Sequence, residues 1–252
     1  MADKFGFCKV SIAPVRNENK DQSEIVTQLL FGEIIEIQEI LGSWSKITTF
    51  SDNYEGWIDS KHFLPLTHKE MNRWNNGLSF EKSICRTLET PWGNQRIVKG
   101  SFVPFDCEEE FKIANETFRF LDHSVNTVES SIFEVAKEYL NTPYLWGGKS
   151  PFGIDCSGLT QVVFRFFDKN LPRDASQQID HGMDVDFSEI LPGDLAFFHN
   201  KEGKIIHVGI LNGEGLIIHA SGCVRIDKLT KEGIIHAETG YLTHTLNRIK
   251  RV

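Results

Sequence analysis

The chain has 252 residues, 40% apolar and 25% charged, with 27 basic against 35 acidic side chains and a formal net charge of −8. That length holds roughly one to three domains with ample core, and the acidic balance excludes a sequence-independent grip on phosphate backbones, so no nucleic-acid partner is expected. No apolar run approaches the ~20 residues that span a bilayer, and the first residues carry no apolar leader, so neither a membrane partner nor a secretion signal is expected.

The five cysteines are odd in number and show no paired spacing, which fits free thiols in a reducing compartment and sets cytoplasmic as the expected location.

From Cys8 to about Leu66 the pattern is β. KVSIAPVR, EIVTQLL, EIIEIQEI, WSKITTF and EGWIDSKHF are short β-branched or alternating runs, separated by turn signals at Asn17-Glu18-Asn19, Phe31-Gly32, Leu41-Gly42-Ser43 and Ser51-Asp52-Asn53. Five short strands at this spacing predict a small barrel. Core packing is the expected role of Trp44 and Trp57. Residues 67–124 are either a connector or a second, degenerate barrel. HKEMNRWNNGL reads as a short helix or connector, and ICRTLE, RIVKGSFVPF and EEFKIANETFRF read as strands.

From residue 125 the character changes. Val128 to Leu140 is an amphipathic helix ended by Asn141-Thr142-Pro143. TPYLWGGKSPFGI then leads into Asp155-Cys156, after which Leu159, Val162, Val163, Phe166 and Phe167 mark one helix face. Asp155 has N-cap chemistry, so Cys156 belongs in the first turn, where unpaired N–H groups favour thiolate. LPRDASQQIDHG is a loop and short helix, and LAFFHN, KIIHVGIL, GLIIHAS, CVRIDKL and YLTHTLNRIKR are strands. Helices followed by an antiparallel meander make this part α+β.

Cys156 is either a nucleophile or an inert buried thiol. Among nine histidines, His207 and His219 stand out because both lie in short strands joined by Leu211-Asn212-Gly213-Glu214-Gly215. A loop centred on Gly213 opposes 207 to 219 and puts both imidazoles on one sheet face, with Gly209 leaving room beside them. The pair is then either a base with its orienting partner or two structural histidines. His62, His68, His123, His181, His236 and His244 show no comparable arrangement. A zinc site from Cys156, His207 and His219 lacks a fourth ligand in the sequence, so neither metal nor cofactor is expected.

DCSGL around Cys156, GDLAFF ending on Phe198, HVGI from His207 and IIHAS around His219 together resemble the NlpC-type papain-like cysteine peptidases of bacterial cell walls, over roughly residues 125–252. The resemblance implies a papain-like α+β domain in which helices pack on an antiparallel sheet. It implies Cys156 as nucleophile, His207 as general base and later acid, His219 as its orienting residue and Tyr144 as an oxyanion donor. Pro14-Val15-Arg16, Gln28 to Glu33, Trp44 and Tyr54 to Ile58 resemble bacterial SH3-like domains, over residues 1–66. An SH3-like unit before such a domain is similar to the γ-D-glutamyl-L-diamino-acid endopeptidases that recycle murein peptides.

By that resemblance the partner is a murein peptide, L-Ala-γ-D-Glu-diamino acid. Asp155 and Glu55 grip its free amine, Ser157 contacts the peptide, and Arg173 or Ser176 holds a carboxylate. Two alternatives stay open: an exported wall hydrolase of the same chemistry, and a non-catalytic wall-peptide binding module.

Overall fold

The computed structural model describes residues 4–105, 107, 109–123 and 131–252. It divides into two compact units, one made of the chain up to residue 127 with Lys149–Pro151, the other of Val128–Gly148 with Phe152–Val252.

The first unit opens with β1 (Phe5–Cys8), β2 (Ile12–Arg16), β3 (Ile25–Leu30), β4 (Ile34–Leu41), β5 (Trp44–Thr49), β6 (Glu55–Asp59) and β7 (Phe63–Leu66). They form one seven-stranded antiparallel sheet in the order β3-β2-β6-β5-β4-β1-β7. Ala13, Val15, Leu29, Ile35, Ile47 and Ile58 fill its interior. Alternation along β5 buries Ser45, Ile47 and Thr49 and leaves Trp44 half-buried, and Trp57 of β6 is half-buried too. Both tryptophans therefore lie on the outer face rather than in the core expected for them. EIIEIQEI keeps its apolar face only as far as Ile37, because the register with β5 shifts between Ile37 and Glu39 and leaves Ile40 63% exposed.

Residues 67–123 are not a free connector. Helix α1 (His68–Asn75) starts at a capping box of Thr67 and Glu70. Strands β8 (Leu78–Phe80), β9 (Cys85–Thr90), β10 (Gly93–Val98), β11 (Phe102–Pro104), β12 (Glu110–Ile113) and β13 (Glu116–Phe120) follow. They form a four-stranded sheet, β10-β9-β13-β12, and a pair, β11-β8. Their side chains share one core with the barrel. Phe7 meets Phe31 and Trp74 edge-on at 5.2 and 4.9 Å between centroids, and Phe111 and Phe118 stack in the same cluster. Trp74 Nε1 donates to Gly32 O at 2.9 Å, which satisfies the one polar atom of that ring. The unit is completed by β14 (Lys149–Ser150). Lys149 is 1% exposed, and its Nζ lies 3.0 Å from Glu33 Oε1, a buried ion pair.

The second unit begins with α2 (Ile132–Lys137), capped by Ser131, whose hydroxyl accepts from Glu134 N–H. The helix is shorter than the periodicity predicts: it ends at Lys137 with Glu138 as its C-cap, and the expected start at Val128 lies outside the described residues. Then come β15 (Gly153–Ile154), α3 (Cys156–Arg165), α4 (Ala175–Gln178), β16 (Met183–Asp184), β17 (Leu195–His199), β18 (Ile205–Leu211), β19 (Leu216–Ser221), β20 (Cys223–Leu229), β21 (Gly233–Ile235) and β22 (Leu242–Arg251).

The sheet runs β16-β22-β17-β18-β19-β20-β21, and an extra β21–β22 pairing closes six of these strands into a barrel. Strand alternation sorts its side chains. Leu195, Phe197, Val208, Ile210, Ile218 and Ala220 face outward to α2 and α3, where Leu159, Val162 and Val163 are fully buried. Ala196, Phe198, Leu211, Ile217, Leu229, Ile234 and Ile249 fill the inside. The papain-like α+β class expected from the sequence is the fold observed, and barrel closure is the detail that periodicity did not supply.

Candidate active site

Helix α3 starts where the sequence predicts. Asp155 is its N-cap, with Oδ1 accepting from Gly158 N–H at 2.7 Å, so Cys156 occupies the first helical position. Gly158 lets the approach loop pass against the helix, since a Cβ there would lie 2.2 Å from Gly148 O. The Cys156 thiol is 6% exposed and within hydrogen-bonding reach of the backbone N–H groups of Val208 and Ser157. It is not the resting thiolate that the helix start suggests. Burial, then the adjacent Asp155 carboxylate, push its pKa up to about 12, and the Val208 and Ser157 donors with Arg173 only partly offset them. Desolvation outweighs the helix terminus.

The two histidines share a face, but in a different register from the one expected. β18 and β19 pair as Ile210↔Ile218 and Leu211↔Ile217, so the hairpin centres on Glu214 rather than Gly213. Gly213 and Gly215, with φ of 83° and 85°, flank Glu214, and Asn212 Oδ1 accepts from Glu214 and Leu216 N–H to close the loop. Continued down the strands, that register sets His219 across from Gly209 and makes His207 its diagonal neighbour. An imidazole reaches across a diagonal. His207 Nε2 lies 2.8 Å from His219 Nδ1, with the rings edge-on at 5.0 Å. Gly209 is what makes room, because a Cβ there would lie 2.9 Å from His219 Cβ.

Three further residues complete this cluster, and sequence reasoning missed them. His219 Nε2 lies 2.9 Å from Asp227 Oδ2, with Asp227 2% exposed. Arg225 grips the same carboxylate with Nε at 2.8 Å and Nη2 at 3.1 Å, and Ala237 N–H donates to Oδ1 at 2.7 Å. Burial alone would raise the Asp227 carboxyl, but the hydrogen bonds from His219, Arg225 and Ala237 win and hold it well below the usual range. His244 stacks on His207 with centroids 4.3 Å apart, although its spacing in the sequence shows no such arrangement. The available signal was alternation in CVRIDKL: Val224 and Ile226 pack toward the helices, which turns Arg225 and Asp227 to the histidine side. Burial, then His219 and His244, lower the His207 pKa well below its ordinary value. Both shifts favour the neutral thiol and the neutral imidazole at rest.

The other expected site residues divide. Tyr144 is half-buried near the thiol. Burial, then Cys156 and Asp155, push its phenol up to about 12, so it remains a donor. Asp155 does not present a free carboxylate to a substrate amine. Oδ1 takes Gly158 N–H and Arg173 Nη1 (3.0 Å), while Oδ2 takes Gly147 N–H (2.8 Å) and Arg173 Nη2 (2.5 Å). These donors fill the four lone-pair sites of a carboxylate. Arg173, 1% exposed, is accordingly an internal partner of Asp155 and Ser157 rather than an open carboxylate clamp. Ser157 is buried, its Oγ accepting from Arg173 at 2.9 Å, and Ser176 faces solvent on α4. Glu55 lies in the other unit, exposed on β6, with Lys46 Nζ 3.4 Å away.

Comparison with known proteins adds three findings. The NlpC/P60 family matches residues 141–243, and the bacterial dipeptidyl-peptidase SH3 domain matches residues 15–63. Dipeptidyl-peptidase 6 of Lysinibacillus sphaericus is 33% identical over 234 residues, covering 79% of this chain and 81% of that one. The gamma-D-glutamyl-L-lysine dipeptidyl-peptidase of Bacillus subtilis is 30% identical over 218 residues, covering 78% and 72%. A crystal structure of an NlpC/P60 family protein from Bacillus cereus superposes with a TM-score of 0.78 over 98% of this chain and 99% of that one, at 20% identity, a likeness of fold.

Proposed function

The chain belongs to the NlpC/P60 family and is a cysteine peptidase of peptidoglycan-derived peptides, and on that basis we propose that it hydrolyses the γ-D-glutamyl–diamino acid amide bond, releasing L-Ala-γ-D-Glu from peptides with a free N-terminal L-Ala. The observation that carries the chemistry is the hydrogen-bonded imidazole pair, His207 Nε2 to His219 Nδ1 at 2.8 Å, beside a thiol that reaches the N–H of Val208, the next residue along β18.

Because His207 spends Nε2 on His219, Nδ1 is the nitrogen left for the thiol. With both groups neutral at rest, proton transfer accompanies attack. Sγ bonds to the D-glutamyl γ-carbonyl carbon as the thiol proton passes to His207 Nδ1. The tetrahedral oxyanion is held by the Cys156 N–H, which has no helical acceptor at the first position of α3, and by the Tyr144 hydroxyl. Collapse breaks the C–N bond, His207 gives its proton to the departing amine, and a thioacyl group remains on Cys156. Water, deprotonated by His207, attacks that thioester; the C–S bond breaks, the D-glutamyl γ-carboxyl group leaves, and His207 returns the proton to Sγ.

The names of the relatives support the substrate class, and the SH3 domain match supports dipeptide release over general wall lysis. We further propose a role in recycling murein peptides in a reducing, cytoplasmic setting, a reading supported by five free cysteines. Asp155 is filled from within, so its part is to fix the approach loop beside the thiol.

Incubation with L-Ala-γ-D-Glu-L-Lys and its meso-diaminopimelate counterpart tests the reading by chromatography of released dipeptide. Release that Cys156→Ala abolishes, and that N-acetylation of the substrate prevents, is the expected result. Equal cleavage of the acetylated peptide rejects the free-amine requirement. Solubilisation of intact sacculi at comparable rate points instead to a wall hydrolase.

A further inference from the structure

The cluster inside the barrel mouth contains more than a base and its orienting partner, and its outer members have a direction. An ionised carboxylate only accepts hydrogen bonds. Asp227 has both oxygens occupied, Oδ2 by Arg225 Nε and His219 Nε2, Oδ1 by Arg225 Nη2 and Ala237 N–H. His219 must therefore carry its proton on Nε2. In a neutral His219 the Nδ1 is then a lone pair that accepts, so the 2.8 Å contact with His207 Nε2 is a hydrogen bond that His207 donates. A neutral His207 donating from Nε2 has its lone pair on Nδ1, the nitrogen left for the thiol.

The proton assignment thus propagates from a carboxylate on β20, through β19, to β18. Arg225 faces His219 directly across the β19–β20 ladder, and Asp227 sits one same-face position along it, opposite Ile217. No other acceptor is recorded for His219 Nε2 among the described residues.

We propose that Asp227, held ionised and oriented by Arg225, is a positioning residue that fixes the tautomers of His219 and, through it, His207, so that His207 presents an unprotonated Nδ1 to Cys156. This rests on the peptidase reading for its consequence in turnover, but the tautomer assignment itself does not. Low exposure of all three side chains, 2% for Asp227, 1% for His219 and 5% for His207, keeps water from supplying a competing donor.

Asp227→Asn is the diagnostic change, because it keeps the shape and can offer an N–H where the carboxylate offered only lone pairs. His219 then accepts at Nε2 and donates from Nδ1, and His207 is left with its proton on Nδ1, the acid form where a base is needed. In a serine triad the equivalent swap leaves the geometry and costs about 10⁴ in kcat, so a fall of roughly a hundredfold to ten-thousandfold in kcat is expected here, with KM within threefold.

The test combines two readouts. Long-range ¹H–¹⁵N correlation on ¹⁵N-histidine-labelled protein, assigned through His207→Gln and His219→Gln, reads the tautomers without substrate. The expected spectrum of the unaltered protein has both rings protonated on Nε2, and Asp227→Asn moves the His219 proton to Nδ1. Arg225→Gln leaves the carboxylate in place, so it should retain the tautomers and lose less than tenfold in kcat.

A His219 protonated on Nδ1 in the unaltered protein overturns the proposal whether or not Asp227→Asn folds. So does an Asp227→Asn protein with unchanged tautomers and kcat within threefold. Failure of the unaltered protein to cleave the tripeptides rejects the peptidase reading alone, and the spectra still decide the relay.

Discussion

Gly209→Ala is the most informative single change at the site, because the added methyl has a defined set of neighbours. Gly209 is not in the left-handed region, so the substitution introduces no backbone strain. The new Cβ would lie 2.7 Å from Ile217 Cδ1, 2.8 Å from Ile217 Cγ1 and 2.9 Å from His219 Cβ. Ile217 can swing Cδ1 away, but its Cγ1 moves only with the stiff χ1 of a β-branched side chain, and His219 Cβ is fixed to the strand. Ordinary contact begins at 3.4 Å, so His219 must retreat by 3.4 − 2.9, or 0.5 Å.

The His207–His219 bond, 2.8 Å in the structure, then stretches toward 3.3 Å, the weak end of the range. A 1 Å misplacement costs about a hundredfold, so half of that predicts roughly a tenfold loss in kcat, with about 1–3 kcal/mol of stability lost to overpacking. Steady-state kinetics on the tripeptide and urea unfolding measure the two effects separately. Adding Ile217→Val removes the Cδ1 contact but keeps the one at Cγ1, so it should recover part of the stability and none of the kcat. A Gly209→Ala protein with unaltered kcat and unfolding midpoint refutes the account of why glycine is needed there.

Cys156 should behave as an unactivated thiol: its alkylation by iodoacetamide should keep accelerating from pH 7 past pH 10, as a pKa raised to about 12 requires, and a plateau near pH 7 would contradict it. Acid should destabilise the fold through His244, whose pKa burial and then His219 lower to about 4 from 6.5, against a smaller opposing pull from Asp227. The unfolded chain binds the proton first, so the contribution is complete above pH 6.5 and disappears as pH falls through 4. It amounts to about 3 kcal/mol at most, nearer one or two after discounting the ring's partial exposure. His244→Asn should flatten the pH dependence of urea unfolding over that window. Glu33→Gln strips Lys149 of its buried counter-charge and should cost the first unit about 3 kcal/mol, whereas Glu55→Gln, at an exposed pair with Lys46, should cost less than about 1 kcal/mol by the same assay.

What could be read in the sequence was what chain-local geometry sets. Asp155 caps and Cys156 begins a helix because a short acceptor side chain sits immediately before an apolar period of 3.6. His207 and Gly209 share a face because side chains along one strand alternate with period 2, and a short loop of even register adds His219 to that face.

The tertiary structure decided everything that depends on partners distant in the chain. The hairpin register was set by two left-handed glycines around Glu214, and it converted a direct pair into a diagonal one. Closure of the sheet through β21 and β22 brought His244 against His207, and the β19–β20 ladder carried Asp227 to His219. Burial reversed the expected thiolate, since desolvation depends on how many atoms surround Sγ and not on the residues beside it. Local periodicity fixed which way each side chain points; only the closed fold determined what it meets there.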